Sequence, residues 1–163
     1  YEKLKILRYA GVNTKIEECI YPELNHKIDT LQALVILNKL KSLSRVIKKR
    51  ITNAAYYNKY INSKIKKPEF YKNFQHVYYT YQIRCSKRDQ LLKFLKKKGI
   101  ETKIQHKNLL CDHAGFKNSR KDKFVNARKI TSQSLCIPIH EKLDKCELSY
   151  IVENINVFAK KYL

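Results

Sequence analysis

The residues best suited to chemistry lie in a polar loop that leads into an apolar-patterned helix, within YPELNHKIDTLQALVILNKL at positions 21–40. Asn25 and Lys27 stand shortly before Leu31, where the apolar periodicity begins. A side-chain amide can donate to a phosphate oxygen, and backbone N–H groups near a helix start also favour anions. The pair therefore suits an anion. Alternatively, Asn25 only turns the chain and Lys27 is one more surface lysine.

Cysteines and histidines form a second, weaker pattern. Cys111 and His113 make C-x-H, and Cys136 and His140 are four residues apart, so the two pairs could in principle bind zinc. Cys136 falls in an apolar strand pattern, where a buried thiol is ordinary, and this disfavours a metal. The odd number of cysteines and the absence of C-x-x-C argue against a secreted disulfide scaffold and for a reducing compartment.

The net charge of +21 favours anionic partners such as nucleic acid, membrane surfaces or phosphorylated small molecules. The cations are 28 Lys against 7 Arg, although Arg is expected where phosphates or bases are bound bidentately. A solvated lysine surface is therefore the simpler interpretation. A basic domain that binds single strands stays an alternative, because tyrosines lie among the lysines. These tyrosines are Tyr56, Tyr57, Tyr60, Tyr71, Tyr78, Tyr79 and Tyr81.

Helical spacing and turn residues predict the elements of the first part of the chain. The expected elements are a helix over Glu2–Ala10 stopped by Gly11, a loop over Val12–His26 with a short strand near Cys19–Tyr21, and one long helix from a cap at Asp29 or Thr30 to about Ile61. No segment approaches the roughly 20 apolar residues that span a bilayer. Because the sequence contains no Met, we expect it to be a piece of a longer chain.

Strands and helices alternate in the remainder, which predicts a small sheet with helices packed on it. The expected elements are a linker over Lys66–Phe74, strands at His76–Arg84, Ile100–Ile104 and Leu135–Ile139, and helices at Arg88–Lys98, Asp122–Ser132 and from Asp144 to about Lys160. Capping boxes are predicted at Ser86 with Asp89 and at Asp144 with Glu147.

The loop and helix start resemble the N-x-R-[LM]-D-x-x-Q-A signature of the DegT/DnrJ/StrS family of sugar aminotransferases, which use pyridoxal phosphate. Asn25, Ile28, Asp29, Gln32 and Ala33 match, and Lys27 replaces the family's Arg. Four further segments resemble the family in the same order, namely LRYAG at 7–11, HVYYTYQIR at 76–84, KKGIETKIQH at 97–106 and SLCIPIHEKL at 134–143.

This resemblance implies an α/β fold: the C-terminal small domain and connecting long helix of a fold type I transferase that depends on pyridoxal phosphate. Residues 1–28 would be a remnant of the large domain with an active-site loop. Residues 29–65 would be the connecting helix, and residues 66–163 the small α/β domain. The implied activity is transfer of an amino group to a nucleotide-linked keto sugar for surface polysaccharide, in a cytoplasmic homodimeric enzyme.

The resemblance also implies roles for single residues. Asn25 matches the residue that reaches the cofactor phosphate across the dimer interface, and Lys27 and His106 fall on the substrate side. A loop histidine bonded to backbone or water is the alternative for His106. No lysine here matches the one that forms the Schiff base, so we expect the chain to be inactive without a large-domain segment. A non-catalytic interaction module of the same fold is a further alternative.

Overall fold

The computed structural model describes residues 1–69, 71, 73–116 and 123–163. The chain divides into two compact units, Tyr1–Ser44 and Arg45–Leu163. The first unit contains helix α1 (Glu2–Arg8), the short strands β1 (Val12–Asn13) and β2 (Glu18–Cys19), and helix α2 (Thr30–Leu40). The second unit contains most of helix α3 (Leu43–Tyr60), strand β3 (Tyr81–Arg84), helix α4 (Arg88–Lys97), helix α5 (Val125–Gln133), strand β4 (Ser134–Ile137) and helix α6 (Lys145–Tyr162).

The single long helix expected from Asp29 to about Ile61 is two helices, α2 and α3. The Ser42 hydroxyl donates to the Lys39 carbonyl at 3.1 Å, and the Ser42 N–H donates to the same oxygen. A serine side chain that bonds to nearby backbone competes with the helical ladder, so a turn replaces the helix here. The cap predicted at Asp29 is confirmed, because its Oδ1 accepts from the Leu31 N–H at 2.8 Å.

The first unit otherwise contains a small antiparallel hairpin in which Val12 faces Cys19 and Asn13 faces Glu18. The first helix ends at Arg8, two residues earlier than expected. Ala10 and Gly11 follow it with φ +53° and +74°, and the Gly11 N–H donates to the Ile6 carbonyl at 3.0 Å, so the helix stops before Gly11 as predicted. Residues 1–44 are all described, and Gly11 is the only buried residue among them.

The second unit is built on β3 and β4, which pair antiparallel with Tyr81 opposite Ile137 and Arg84 opposite Ser134. The strand expected over His76–Arg84 is shorter because Tyr78 has φ +48°, which an extended strand cannot contain. The strand expected over Ile100–Ile104 is a single bridge between Lys103 and Cys136. Strand β4 ends at Ile137, before the expected end at Ile139, and Pro138, which has no N–H to donate to the ladder, follows it directly.

Two of the predicted helix starts can be compared with the structure. The capping box of α6 is confirmed: Asp144 accepts from the Glu147 N–H at 2.7 Å, and Glu147 accepts from the Asp144 N–H at 2.9 Å. The box predicted at Ser86 is wrong: α4 begins at Arg88, as expected, but its N-cap residue is Lys87, whose side chain makes no capping hydrogen bond. Residue 122, where the helix observed as α5 was expected to start, lies outside the described residues.

The hydrophobic core lies in the second unit, where α4 and α6 pack together and α4 packs on β4. Leu91 and Leu95 of α4 and Phe158 of α6 are almost completely buried. Tyr57 contacts Tyr81 edge to face with ring centroids 5.1 Å apart, and Tyr78 stacks 6.0 Å from Tyr81. Among the described residues, every buried apolar side chain belongs to this unit.

Candidate functional site

The loop that carries Asn25 starts where the backbone of Tyr21 passes very close to the backbone of Gly11. The Gly11 carbonyl accepts from the Ile20 N–H at 2.9 Å and from the Tyr21 N–H at 3.3 Å. A Cβ on Gly11 would lie 1.4 Å from the Tyr21 carbonyl oxygen. Glycine is therefore required here both by its positive φ and by the space that the neighbouring backbone occupies.

Asn25 is fixed at its backbone and has a free amide group. It bridges to Tyr9, and the next residue, His26, donates its N–H to the Arg8 carbonyl at 3.1 Å. The Asn25 Oδ1 accepts from the Lys27 N–H at 3.1 Å, which closes an Asx turn. Within the described part of the chain no hydrogen bond uses Asn25 Nδ2, and the residue is exposed. Two amide N–H groups are thus available to an acceptor.

Lys27 supplies a positive charge beside this turn. Its Nζ lies 4.0 Å from the centroid of the Tyr9 ring, in a cation–π contact on an exposed side chain. The Tyr9 ring therefore limits where the ammonium group can go without neutralising it. The structure brings Asn25 and Lys27 together in one turn, and the combination of amide donors and a cation suits an anion.

Two carboxylates hold the ends of the same loop. The Glu23 Oε1 accepts from the Leu24 N–H at 2.9 Å and lies 3.3 Å from His26 Nε2. The hydrogen bond from Leu24, and then that from His26, keeps the pKa of the Glu23 carboxyl below its ordinary value. With Asp29 capping α2, the loop has side-chain bonds to its own backbone at three places, and this orders it locally.

His106 belongs to the second unit, in the loop between Lys103 and the two 3₁₀ turns Leu110–Asp112 and Ala114–Phe116. The histidine is exposed, and it has no hydrogen-bond partner among the described residues. Its loop is tied to α5 by a bidentate ion pair, in which Arg128 Nη1 and Nη2 each lie 2.8 Å from an Asp112 carboxylate oxygen. The hydrogen bonds from Arg128 hold the pKa of Asp112 below its ordinary value.

A groove of ≈ 460 Å³ opens in the second unit, between the 99–103 segment and the chain that follows β4. Ile100, Ile137 and Tyr150 supply part of its lining. Asn53 Nδ2 donates to the His140 carbonyl at 3.0 Å, and the Tyr57 hydroxyl donates to the Pro138 carbonyl at 2.8 Å. Burial raises the pKa of Tyr57 far above its ordinary range, so the hydroxyl stays a neutral donor.

Sequence reasoning missed the residues that organise the second unit. Asn53, Tyr57 and Arg128 find their partners at sequence separations of 87, 81 and 16, and no local spacing signals such contacts. Three of the tyrosines considered as a stacking platform, Tyr57, Tyr78 and Tyr81, are buried in the core. They are therefore not available to stack on nucleic-acid bases.

The described residues give no support to a metal site or to a membrane-spanning helix. In residues 1–69, 71, 73–116 and 123–163, no three His, Cys, Asp or Glu side chains come close enough together to hold a metal ion. Cys136 is buried and Cys111 Sγ lies 3.9 Å from Asp112 Oδ1. Over the same residues, no helix has the length and apolarity needed to cross a membrane.

Solved structures define the class of fold. The chain is similar to the DegT DnrJ EryC1 StrS aminotransferase from Brucella abortus, with a TM-score of 0.91 and 24% identity over 98% of this chain and 43% of that one. It is similar to DesV from S. venezuelae, with a TM-score of 0.92 and 21% identity over 99% of this chain and 44% of that one. The α/β fold predicted from the resemblance, the C-terminal part of a fold type I transferase, is confirmed.

The family model of the DegT/DnrJ/EryC1/StrS aminotransferases matches residues 1–156, and the chain belongs to this family. It is 26% identical to the "Pleiotropic regulatory protein" of Geobacillus stearothermophilus over 99% of this chain and 45% of that protein. It is also 26% identical to the dTDP-3-amino-3,6-dideoxy-alpha-D-galactopyranose transaminase of Aneurinibacillus thermoaerophilus over 97% of this chain and 44% of that protein. The chain thus spans less than half the length of these relatives.

Proposed function

We propose that this chain is the C-terminal portion of a pyridoxal-phosphate-dependent aminotransferase that acts on a nucleotide-linked keto sugar. The observation that carries the proposal is the Asn25 turn, which holds two unused amide N–H groups beside the Lys27 ammonium. Family membership supports the reaction class, and the Aneurinibacillus relative is named for a dTDP-linked amino sugar. We further propose a homodimeric, cytoplasmic complete enzyme that serves surface polysaccharide synthesis.

The loop residues fit the phosphate of pyridoxal phosphate. Asn25 is exposed, its own Oδ1 is already used by the Asx turn, and a cation stands within the same turn. In this role Asn25 donates to a phosphate oxygen and Lys27 adds charge on the substrate side. Lysine lacks the planar fork of arginine, so it binds an oxyanion as a point charge rather than bidentately.

The remaining chemistry is assigned to a large domain. When bound, pyridoxal phosphate supplies an electron sink that allows an amino group to pass from an amino-acid donor to a sugar ketone. We assign no Schiff-base lysine in this chain and therefore propose that the 163 residues are inactive alone. His106 is proposed to contact substrate from a loop that the Asp112–Arg128 pair holds against α5.

The test compares two asparagines that make the same turn. Asn13 Oδ1 accepts from the Lys15 N–H at 3.0 Å, just as Asn25 Oδ1 accepts from Lys27. The chain is combined with the segment of the Aneurinibacillus transaminase that it does not match, and cofactor binding is followed by absorbance. Asn25→Ala should weaken cofactor binding about tenfold, since a hydrogen bond to a charged group is lost, whereas Asn13→Ala should not.

Equal cofactor affinity of the two variants would remove Asn25 from the binding site. Amino transfer to a nucleotide-linked keto sugar is measured on the same samples, and the chain alone should give none. Turnover by the chain alone would contradict the assignment of the reactive lysine to another segment.

A second candidate is a non-catalytic interaction module of the same fold. It is favoured by the name of the Geobacillus relative, a pleiotropic regulatory protein, and by the unassigned lysine. This candidate predicts binding to the complementary segment without amino transfer under any donor and acceptor. Transfer by the combined polypeptides would exclude it.

A further inference from the structure

The stretch 101–116 carries His106 but has no anchor in the core. Ile100, just before it, is only 5% exposed, whereas none of the residues 101–116, all of which are described, is buried. The backbone leaves the sheet after the bridge between Lys103 and Cys136. A stretch with few buried contacts opens at low free energy unless other bonds fix it.

Arg128 of α5 supplies bonds of this kind. Its Nη1 and Nη2 atoms each donate to one carboxylate oxygen of Asp112 at 2.8 Å, and its Nε donates to the Lys123 carbonyl at 3.1 Å. The Asp112 Oδ2 atom also accepts from the Leu109 N–H at 3.3 Å, so the bound carboxylate fixes the turn that follows His106. One guanidinium group thus holds the chain at residue 112 and again at residue 123.

The other hydrogen bonds around His106 are local. Among the described residues, all remaining hydrogen bonds of residues 106–116 join members of that range, such as the bond from the Phe116 N–H to the His113 carbonyl. The side chain of His106 is exposed. Its position is therefore set by the backbone of residues 107–112 and, through Asp112, by Arg128.

The chemistry at this position requires an arginine. The planar guanidinium group presents two parallel N–H groups to a carboxylate and a third N–H in another direction, which an ammonium group cannot do in fixed geometry. The next residue, Lys129, is exposed, and its ammonium group makes no hydrogen bond within the described part of the chain. Two adjacent cations of α5 thus differ in whether they hold the loop.

We propose that Arg128 is a positioning residue, which holds the loop through Asp112 so that His106 meets the nucleotide-linked sugar. The inference rests on the proposed function, because the role of His106 is part of it. When the loop is released, only a fraction of the molecules has His106 in place, and the apparent affinity for the sugar substrate falls by that fraction. The cofactor phosphate is assigned to Asn25 in the other unit, so its binding should not change.

The test uses the chain combined with the segment of the Aneurinibacillus transaminase that it does not match. Arg128→Gln removes the guanidinium group, and the matched control Lys129→Gln removes a charge from the next residue of the same helix. Arg128→Gln should raise the KM for a nucleotide-linked keto sugar about three- to fivefold, the effect of a well-formed but half-exposed ion pair. The kcat should change less, and cofactor absorbance should stay the same. Lys129→Gln should leave all three unchanged.

A double-mutant cycle separates positioning from a purely structural role. In a His106→Ala background, Arg128→Gln should raise KM little further, because the side chain that it positions is already absent. Asp112→Asn should raise KM to a similar extent, and Asp112→Asn/Arg128→Gln no more than either change alone. Equal effects of Arg128→Gln with and without His106 would overturn the proposal.

Hydrogen exchange provides a readout that needs neither partner nor substrate. In the 163-residue chain alone, the amides of residues 106–112 should exchange faster in Arg128→Gln than in Lys129→Gln, and the amides of α6 should differ much less. Equal exchange of the loop in the two variants would show that Arg128 does not fix it and would overturn the inference.

The remaining outcomes distinguish this inference from the proposed function. Amino transfer by the wild-type combination that neither Arg128→Gln nor His106→Ala impairs would overturn the inference and leave the proposed enzyme standing. Absence of amino transfer by the wild-type combination would contradict the proposed function and, with it, this role of Arg128.

Discussion

The two units of this chain differ in what holds them together. The second unit buries a continuous apolar core, with Leu95, Ile155 and Phe158 almost fully enclosed. The first unit buries only Gly11 and is ordered by hydrogen bonds between nearby residues, such as those made by Asn25 and Asp29. Local bonds can shape a loop, but burial of apolar surface supplies most of the stability of a domain. We therefore expect the second unit to fold on its own core and the first to depend on a partner.

The largest expected effect comes from the same substitution made in each unit. Leu95→Ala removes a side chain that is 0% exposed and should lower the free energy of unfolding by about 2–5 kcal/mol, from lost transfer energy and the cavity left behind. Leu34→Ala removes one that is 59% exposed and should change it by less than about 0.5 kcal/mol. Denaturant unfolding followed by circular dichroism measures both. Similar losses would mean that the first unit shares the cooperative core.

A smaller effect is expected from the two confirmed helix caps. Asp144→Ala removes the capping box of α6 and should cost about 0.5–2 kcal/mol in the unfolding of the second unit. Asp29→Ala removes the matching bond at α2 and should leave that transition unchanged, while α2 amides exchange faster. Hydrogen exchange with mass spectrometry reads both helices in one experiment. A shift of the main transition by Asp29→Ala would weaken the contrast between the units.

The smallest effect concerns pH. The Arg128 hydrogen bonds hold the pKa of Asp112 below its ordinary value of 3.8. This pair therefore contributes its full stability to the second unit at pH values above 3.8. The contribution is lost as pH falls through the lower folded pKa, when the carboxylate takes up a proton. NMR titration of the Asp112 carboxyl should show the depressed pKa in the wild type. Arg128→Lys should bring the pKa of Asp112 back toward 3.8. An unchanged pKa would show that the bidentate Arg128 guanidinium does not cause the shift.

The sequence predicts features that depend on interactions within a few residues, and it misses those that depend on long-range contacts. Asp144 with Glu147 was predictable because both bonds close within one helical turn. The capping box at Ser86 did not form: the Cys85 N–H bonds to the Gln133 carbonyl, which keeps the chain with the sheet, and the N-cap falls on Lys87 instead. Local spacing thus predicted the first helical residue, Arg88, but a long-range contact decided which residue caps the helix.

The candidate site divides in the same way. Asn25 and Lys27 were found because a local motif and a helix start lie side by side in the sequence. The position of the Lys27 ammonium group over the Tyr9 ring depends on the backbone bridge between Tyr9 and Asn25, which local spacing does not signal. The domain boundaries at 28 and 65, and the roles of Asn25, Lys27 and His106, remain predictions.

The buried cluster of Tyr57, Tyr78 and Tyr81 has a practical consequence for spectroscopy. The chain contains 12 tyrosines and no tryptophan, so chiral near-ultraviolet absorption will come mainly from these enclosed rings of the second unit. An indole introduced at Tyr21 would be the sole tryptophan fluorophore in the molecule. Its emission would report on the first unit alone, while the near-ultraviolet circular dichroism of the buried tyrosines reports on the second. The unfolding of the two units could then be followed separately in one sample.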